Sequence, residues 1–107
     1  MVVKDGVSLA GCRPEILAAA ITIIAPVFLK HDRIAVITSG TENVKHSAKR
    51  SAHYRGYALD FRSRYFPTVE KKAEVLQDLT EALGPDFVVV LESTHYHIHF
   101  APVYHEV

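Results

Sequence analysis

Near its C-terminal end the chain reads "ESTHYHIHF" (92–100), three histidines at alternate positions behind a glutamate. Side chains on a strand alternate between faces, so His95, His97 and His99 share one face, while Tyr96, Ile98 and Phe100 share the other. An earlier stretch, "GYALDF" (56–61), divides the same way: Tyr57, Leu59 and Phe61 against Gly56, Ala58 and Asp60. If the two strands are neighbours, a carboxylate and a row of imidazoles converge over a hollow left by two very small residues. That is ligand chemistry for a divalent metal. A catalytic zinc takes three nitrogen or oxygen ligands and keeps a fourth position for water. The predicted set is Asp60, one or two histidines of the last strand, and His53 from the segment entering the first strand, with Gly56 allowing a sharp turn between them. A solvent-exposed sheet face accounts for one isolated His-x-His. It does not account for six of the seven histidines falling within 45–55 and 95–105.

These residues need elements to hold them. Pro14 and Glu15 suit the first turn of a helix, and apolar residues at helical spacing from Ile16 to Phe28 carry it over about 14–29. Pro26 is expected to bend or fray its last turn. "RIAVIT" (33–38) reads as a strand, 39–52 as a loop and 56–61 as a short strand. Thr68 is the expected N-cap of a second helix over 69–83, stopped by Gly84-Pro85. "DFVVVLE" (86–92) and "HYHIHFAPV" (95–103) form two strands joined by Ser93-Thr94. The order predicts an α+β domain: a mainly antiparallel sheet with two helices packed on one face and the metal site on the other.

Composition sets the bounds. A chain of 107 residues with 49% hydrophobic and 22% charged residues suits one globular domain, 1–107, rather than a disordered segment. Twelve basic and twelve acidic residues cancel, which argues against nucleic-acid or membrane-surface binding, since both need a standing positive field. One cysteine, Cys12, makes no internal disulfide. The apolar run 16–29 is shorter than the roughly 20 residues of a membrane helix and reads as a buried helix. No targeting segment is evident, so a cytoplasmic origin is expected.

At "SAHYRGYALD" (51–60) and "ESTHYHIH" (92–99) the sequence resembles the zinc peptidases that include D-Ala-D-Ala carboxypeptidases and the L-alanoyl-D-glutamate endopeptidases of phage endolysins. Their pattern is Ser-x-His-x-x-Gly-x-Ala-x-Asp, followed late in the chain by an acid and a His-x-His or acid-x-x-His strand. The Hedgehog signalling domain is similar to this fold, which shows that such a metal site need not be catalytic. The resemblance implies His53 and Asp60 as zinc ligands. Members with His-x-His imply His97 as the third, leaving His95 to touch the reacting groups. Members with acid-x-x-His imply His95 as ligand and Glu92 as base. The first assignment is adopted, with Glu92 as general base reaching in from the end of the preceding strand.

The implied activity is zinc-dependent hydrolysis of a peptide bond next to a D-amino acid in peptidoglycan stem peptides, acting at the cell wall after release by a separate pore-forming protein. Relatives capture a substrate carboxylate with an arginine just after a Ser-Gly. This chain has "TSGTEN" there, so Arg55 and Arg62 are the candidate substitutes. Lys45, Lys49 and Arg50 read as a solvated loop, His46 is undecided, and His99 is placed at the rim. Tyr54 and Tyr57 read as packing residues; His31, His105 and Cys12 have no functional case. The rival reading is a non-catalytic zinc-binding module of the same fold. A metal-independent histidine phosphoesterase is distant, because that chemistry wants two His-x-Ser/Thr strands.

Overall fold

Thr68 opens the longest helix as its chemistry predicts. In a computed structural model that describes residues 1–42, 52–53 and 55–103, its hydroxyl accepts the Lys71 backbone N–H, and helix Val69–Leu83 follows. The other helical rod has three parts: α1 (Pro14–Ala19), a π-helical stretch (Ala20–Ile24) and α2 (Ala25–Lys30), so that Val69–Leu83 is α3. Pro26 does not fray the last turn, which continues through Lys30; the irregularity lies instead in the π-helical stretch just before it. Proline lacks the N–H for an α-helical bond, and the chain meets this by widening just before it: the Ala25 N–H reaches back to the Ala20 carbonyl. Ile16, Ala20, Ile24 and Phe28 of this rod are all fully buried.

Five strands form one sheet in the order β1-β2-β3-β5-β4: β1 (Val2–Val3), β2 (Val36–Ser39), β3 (Ala58–Arg62), β4 (Phe87–Leu91) and β5 (His95–Phe100). The β1–β2 pair is parallel and the others are antiparallel, so the architecture is α+β with a mostly antiparallel sheet. The strand expected at 33–38 is displaced. Asp32, with φ of 61°, ends the helical turn, and the Arg33 N–H still bonds to the Phe28 carbonyl, which delays regular pairing until Val36. β1 was not anticipated, being only two residues long and supported by a single neighbour. Two β2 residues, Ile37 and Ser39, face the adjacent pair Phe61 and Asp60, which makes Thr38 the extra residue of a bulge.

One core joins helices and sheet. Leu59, Phe61, Tyr96 and Ile98 belong to the same buried cluster as Ile16, Ile24, Phe28, Val75 and Leu79. Phe28 is its hub, with ring centroids 6.0 Å from Phe61, 5.9 Å from Phe66 and 5.9 Å from Tyr96. The Tyr96 hydroxyl donates to the Lys72 carbonyl at 2.7 Å, pinning β5 to α3. The alternating residues Asp60, His97 and His99 are not part of this core. No helix among the described residues is long and apolar enough to cross a membrane.

Gly56 fixes the entry to β3. Its φ is +80°, its N–H bonds to the His53 carbonyl at 3.1 Å, and an added Cβ would overlap the Gly11 carbonyl. Gly84 has a similar φ of +78° but open space around it. Gly84→Ala should therefore cost about 1–3 kcal/mol from backbone strain alone. Gly56→Ala should cost more, through the added clash, as measured by denaturant unfolding. Equal losses would show that the packing against Gly11 contributes nothing.

Candidate metal centre

Asp60 occupies the middle of β3, directly across from His97 on β5. Its Oδ1 lies 3.0 Å from His97 Nδ1 and 3.2 Å from His53 Nε2, and its Oδ2 lies 3.5 Å from His95 Nε2. One ligand atom from each of His53, Asp60 and His97 falls within 4.8 Å of the others, so these three residues could hold a metal ion. The carboxylate is nearly buried, and all three histidines are half-buried.

The His53 ring is fixed from behind. Its Nδ1 lies 2.9 Å from the Gly40 carbonyl, and a carbonyl can only accept, so Nδ1 carries the proton. In the neutral ring this leaves Nε2 as a lone pair aimed at a carboxylate oxygen. Two acceptors at 3.2 Å repel unless a proton or a cation lies between them. The donor set therefore fits a cation, and the backbone carbonyl plays the orienting part that metal-bound histidines usually require. Gly40 is held in turn by Glu42, whose carboxylate accepts from the Gly40 N–H at 2.8 Å, the Ser39 hydroxyl at 2.6 Å and the Ser8 N–H at 3.1 Å. Sequence reasoning missed this support. The only available sign was an acid two residues beyond Ser39-Gly40.

The electrostatics follow from these contacts. Burial pulls the Asp60 carboxyl upward, but the hydrogen bonds from His53 and His97 and the charges of His53 and His95 outweigh it and hold the group at about 2. Burial pulls His53 downward, yet the hydrogen bond and charge of Asp60, with the Gly40 carbonyl, raise it above its ordinary value. His99 moves the other way, lowered by burial and by the neighbouring His97 and His53.

The remaining candidates are distributed around this cluster. Glu92 is half exposed at the end of the β4–β5 hairpin; its N–H bonds to the His95 carbonyl at 2.8 Å, and its Oε2 lies 3.2 Å from His95 Nε2. His95 thus stands between Asp60 and Glu92. His99, expected at the rim, contacts His97, with Nδ1 3.0 Å from His97 Nε2. Arg62 ends β3, directly opposite His95. Arg55 is exposed and lies over the Tyr57 ring at 5.9 Å, beside Arg13 at 5.4 Å. Tyr57 also packs on Phe100, and His31 is a buried structural residue paired with Asp78 at 2.6 Å. Lys45, His46, Lys49, Arg50, Tyr54 and His105 lie outside the described residues. No family model, curated protein or solved structure matches this chain.

The two shifted groups predict a pH profile. Folding lowers Asp60 from 3.8 to about 2, so its stabilising contribution is full above about pH 4 and disappears as pH falls through 2. It is on the order of 2 kcal/mol. Folding raises His53, so its contribution is full below about 6.5 and is lost as pH rises through its higher folded value. Metal-free protein should be most stable between about pH 4 and 6.5. A divalent metal needs deprotonated ligands, so the stabilisation it adds should grow with pH across the His53 range. Thermal melts in chelator should fall between pH 6 and 8, while the increment on adding metal rises. A metal-free melting temperature that climbs over that interval would rule out the His53–Asp60 pair as its cause.

Proposed function

We propose that the protein is a zinc metallopeptidase that hydrolyses a peptide bond next to a D-amino acid in peptidoglycan stem peptides. The observation that carries this reading is the meeting of His53, Asp60 and His97 around one point, with the Glu92–His95 pair at its edge. Two histidines and one carboxylate are a zinc-type donor set that leaves room for water. The substrate class is supported by the resemblance of "SAHYRGYALD" to cell-wall peptidases.

Zinc, when bound there, would supply a Lewis acid and lower the pKa of a water from about 15.7 to about 7. Glu92 accepts the proton of the attacking water and delivers it to the departing amine. The water oxygen bonds to the carbonyl carbon, the C–N bond breaks, and a carboxylate and an amine leave. His95 has its Nε2 within reach of both Glu92 and Asp60, and it donates to the carbonyl oxygen as negative charge develops. Exposure suits Glu92 to this task, because a base that exchanges protons with solvent must not be sealed in.

Glu92→Gln keeps the size of the side chain but cannot take a proton. It should retain about one zinc per chain by elemental analysis, while stem-peptide hydrolysis falls by ~10²-fold or more. His97→Ala should lose both metal and activity. Release of zinc by Glu92→Gln would make the glutamate a ligand and overturn the assigned roles. A zinc-loaded parent that cleaves no peptide would favour the non-catalytic metal-binding module.

A further inference from the structure

Asp60 has two carboxylate oxygens, and they face different histidines. Oδ1 lies against His53 and His97, whereas Oδ2 lies 3.5 Å from His95 Nε2. The same His95 nitrogen lies 3.2 Å from Glu92 Oε2. One imidazole nitrogen is thus shared by two carboxylates, and Asp60, held at about 2, is ionised at neutral pH. An N–H at that nitrogen can be aimed at one of the two oxygens at a time. A cation bonds to both and to the nitrogen lone pair as well.

The spacing suits a metal. For bonds of about 2.1 Å at tetrahedral angles, neighbouring ligand atoms stand about 3.4 Å apart. The separations of 3.2 Å and 3.5 Å around His95 Nε2 match that edge, as do those of 3.0 Å and 3.2 Å around Asp60 Oδ1. Asp60 and His95 are fixed by β3–β5 pairing, while Glu92 is tied to His95 only through its backbone N–H. Its half-exposed side chain has the rotational freedom to close on an ion. A carboxylate that holds one ion on each oxygen is the bridge of a two-metal site, in which the ions stand about 3.5–4 Å apart.

We propose that Glu92 Oε2, His95 Nε2 and Asp60 Oδ2 form a second divalent-cation site beside the first, and that filling it inhibits the protein. The inhibition rests on the peptidase reading above; the capacity for a second ion does not. A bound ion takes the Glu92 lone pair that receives the water proton. It also occupies the His95 Nε2 that donates to the carbonyl oxygen. Three features make this site the weaker of the two. The first ion repels the second, the Glu92 side chain must be immobilised, and Lys4, Arg62 and Arg64 converge on a cavity that Thr94, next to His95, also lines. The protein is therefore active with one ion and inactive with two.

The test is a titration of metal-free protein with zinc, followed by calorimetry and by the side-chain nitrogen resonances of isotope-labelled histidine. Two binding steps are expected, the second at least ~10-fold weaker than the first. The first should move the His53 and His97 signals, and the second that of His95. Glu92→Gln and His95→Gln should each weaken the second step by at least ~10-fold and leave the first in place. Glu92→Gln alters a half-exposed side chain, which guards against a folding defect in the other variant. A single binding step, a second step that moves His99 instead of His95, or one undiminished in both variants would overturn the site. Stem-peptide hydrolysis by the parent should peak at one zinc per chain and fall by at least ~10-fold as the second step fills. A filled second site with hydrolysis unchanged or raised would overturn the inhibition. Two bound ions in a protein that cleaves no peptide at any loading would uphold the site and sink the peptidase reading instead.

Discussion

The metal cluster depends on a single register. β3 and β5 pair over five positions, with Leu59 opposite Ile98 and Phe61 opposite Tyr96, while Asp60 faces His97 and Arg62 faces His95. A slip of one residue would exchange the two sets between faces. It would expose Leu59, Phe61, Tyr96 and Ile98, each fully buried and each contributing roughly 1.5–3 kcal/mol. Their sum is comparable to the whole stability of a small domain, about 5–15 kcal/mol. The core therefore enforces a geometry in which it takes no direct part. A carboxylate under several imidazoles has no stabilising hydrophobic burial to hold it in place, and the neighbouring aromatic residues supply the constraint.

The sheet fixes Asp60, His95 and His97 through backbone pairing, but His53 comes from outside it and is held differently. Its ring is oriented by the Gly40 carbonyl, and Gly40 is fastened by Glu42, which also ties in Ser8 near the N-terminus. Burial favours the neutral acid at Glu42, yet the Ser39 hydroxyl and the backbone N–H groups lower its pKa, so it remains an acceptor. The cluster thus joins two kinds of support, one strand-based and rigid, the other a chain of polar contacts through a loop.

Much of this was readable from residue order because it follows from short-range rules. Thr68 as cap, Gly84 as stop and the apolar stripe between them define α3 without reference to the rest of the chain. Alternation in "GYALDF" and "HYHIHF" separated core from site residues on both strands, since a pleat imposes it wherever the strand lies. What was not readable depends on neighbours distant in sequence. β1 exists because β2 offers an edge to Val2 and Val3. The Thr38 bulge, the Glu42 tether and the convergence of Lys4 with Arg62 and Arg64 are products of the tertiary arrangement. Pro26 misled for a different reason. A bent or frayed last turn was expected from its missing N–H, but a helix can also accommodate that loss by widening.

That widening has a consequence for winding. Ile16, Ala20, Ile24 and Phe28 are spaced by fours, and in an α-helix each such step drifts around the axis by about 40°, or about 120° over three steps. A helix with that drift would turn Phe28 well away from the surface that buries Ile16. Each residue of the Ala20–Ile24 stretch rotates less than an α-helical residue does, so the stretch takes back part of the drift and returns Phe28 toward the core. It then sits against Phe61 and Tyr96, the inward neighbours of Asp60 and His97. Twelve α-helical residues would overshoot three turns by about 120°, whereas eleven would overshoot by only about 20°, so the wide stretch accommodates one residue more than a regular α-helix could carry between these positions. With twelve residues separating Ile16 from Phe28, the wide winding is what keeps an aromatic ring beneath the strand pair that carries the histidines.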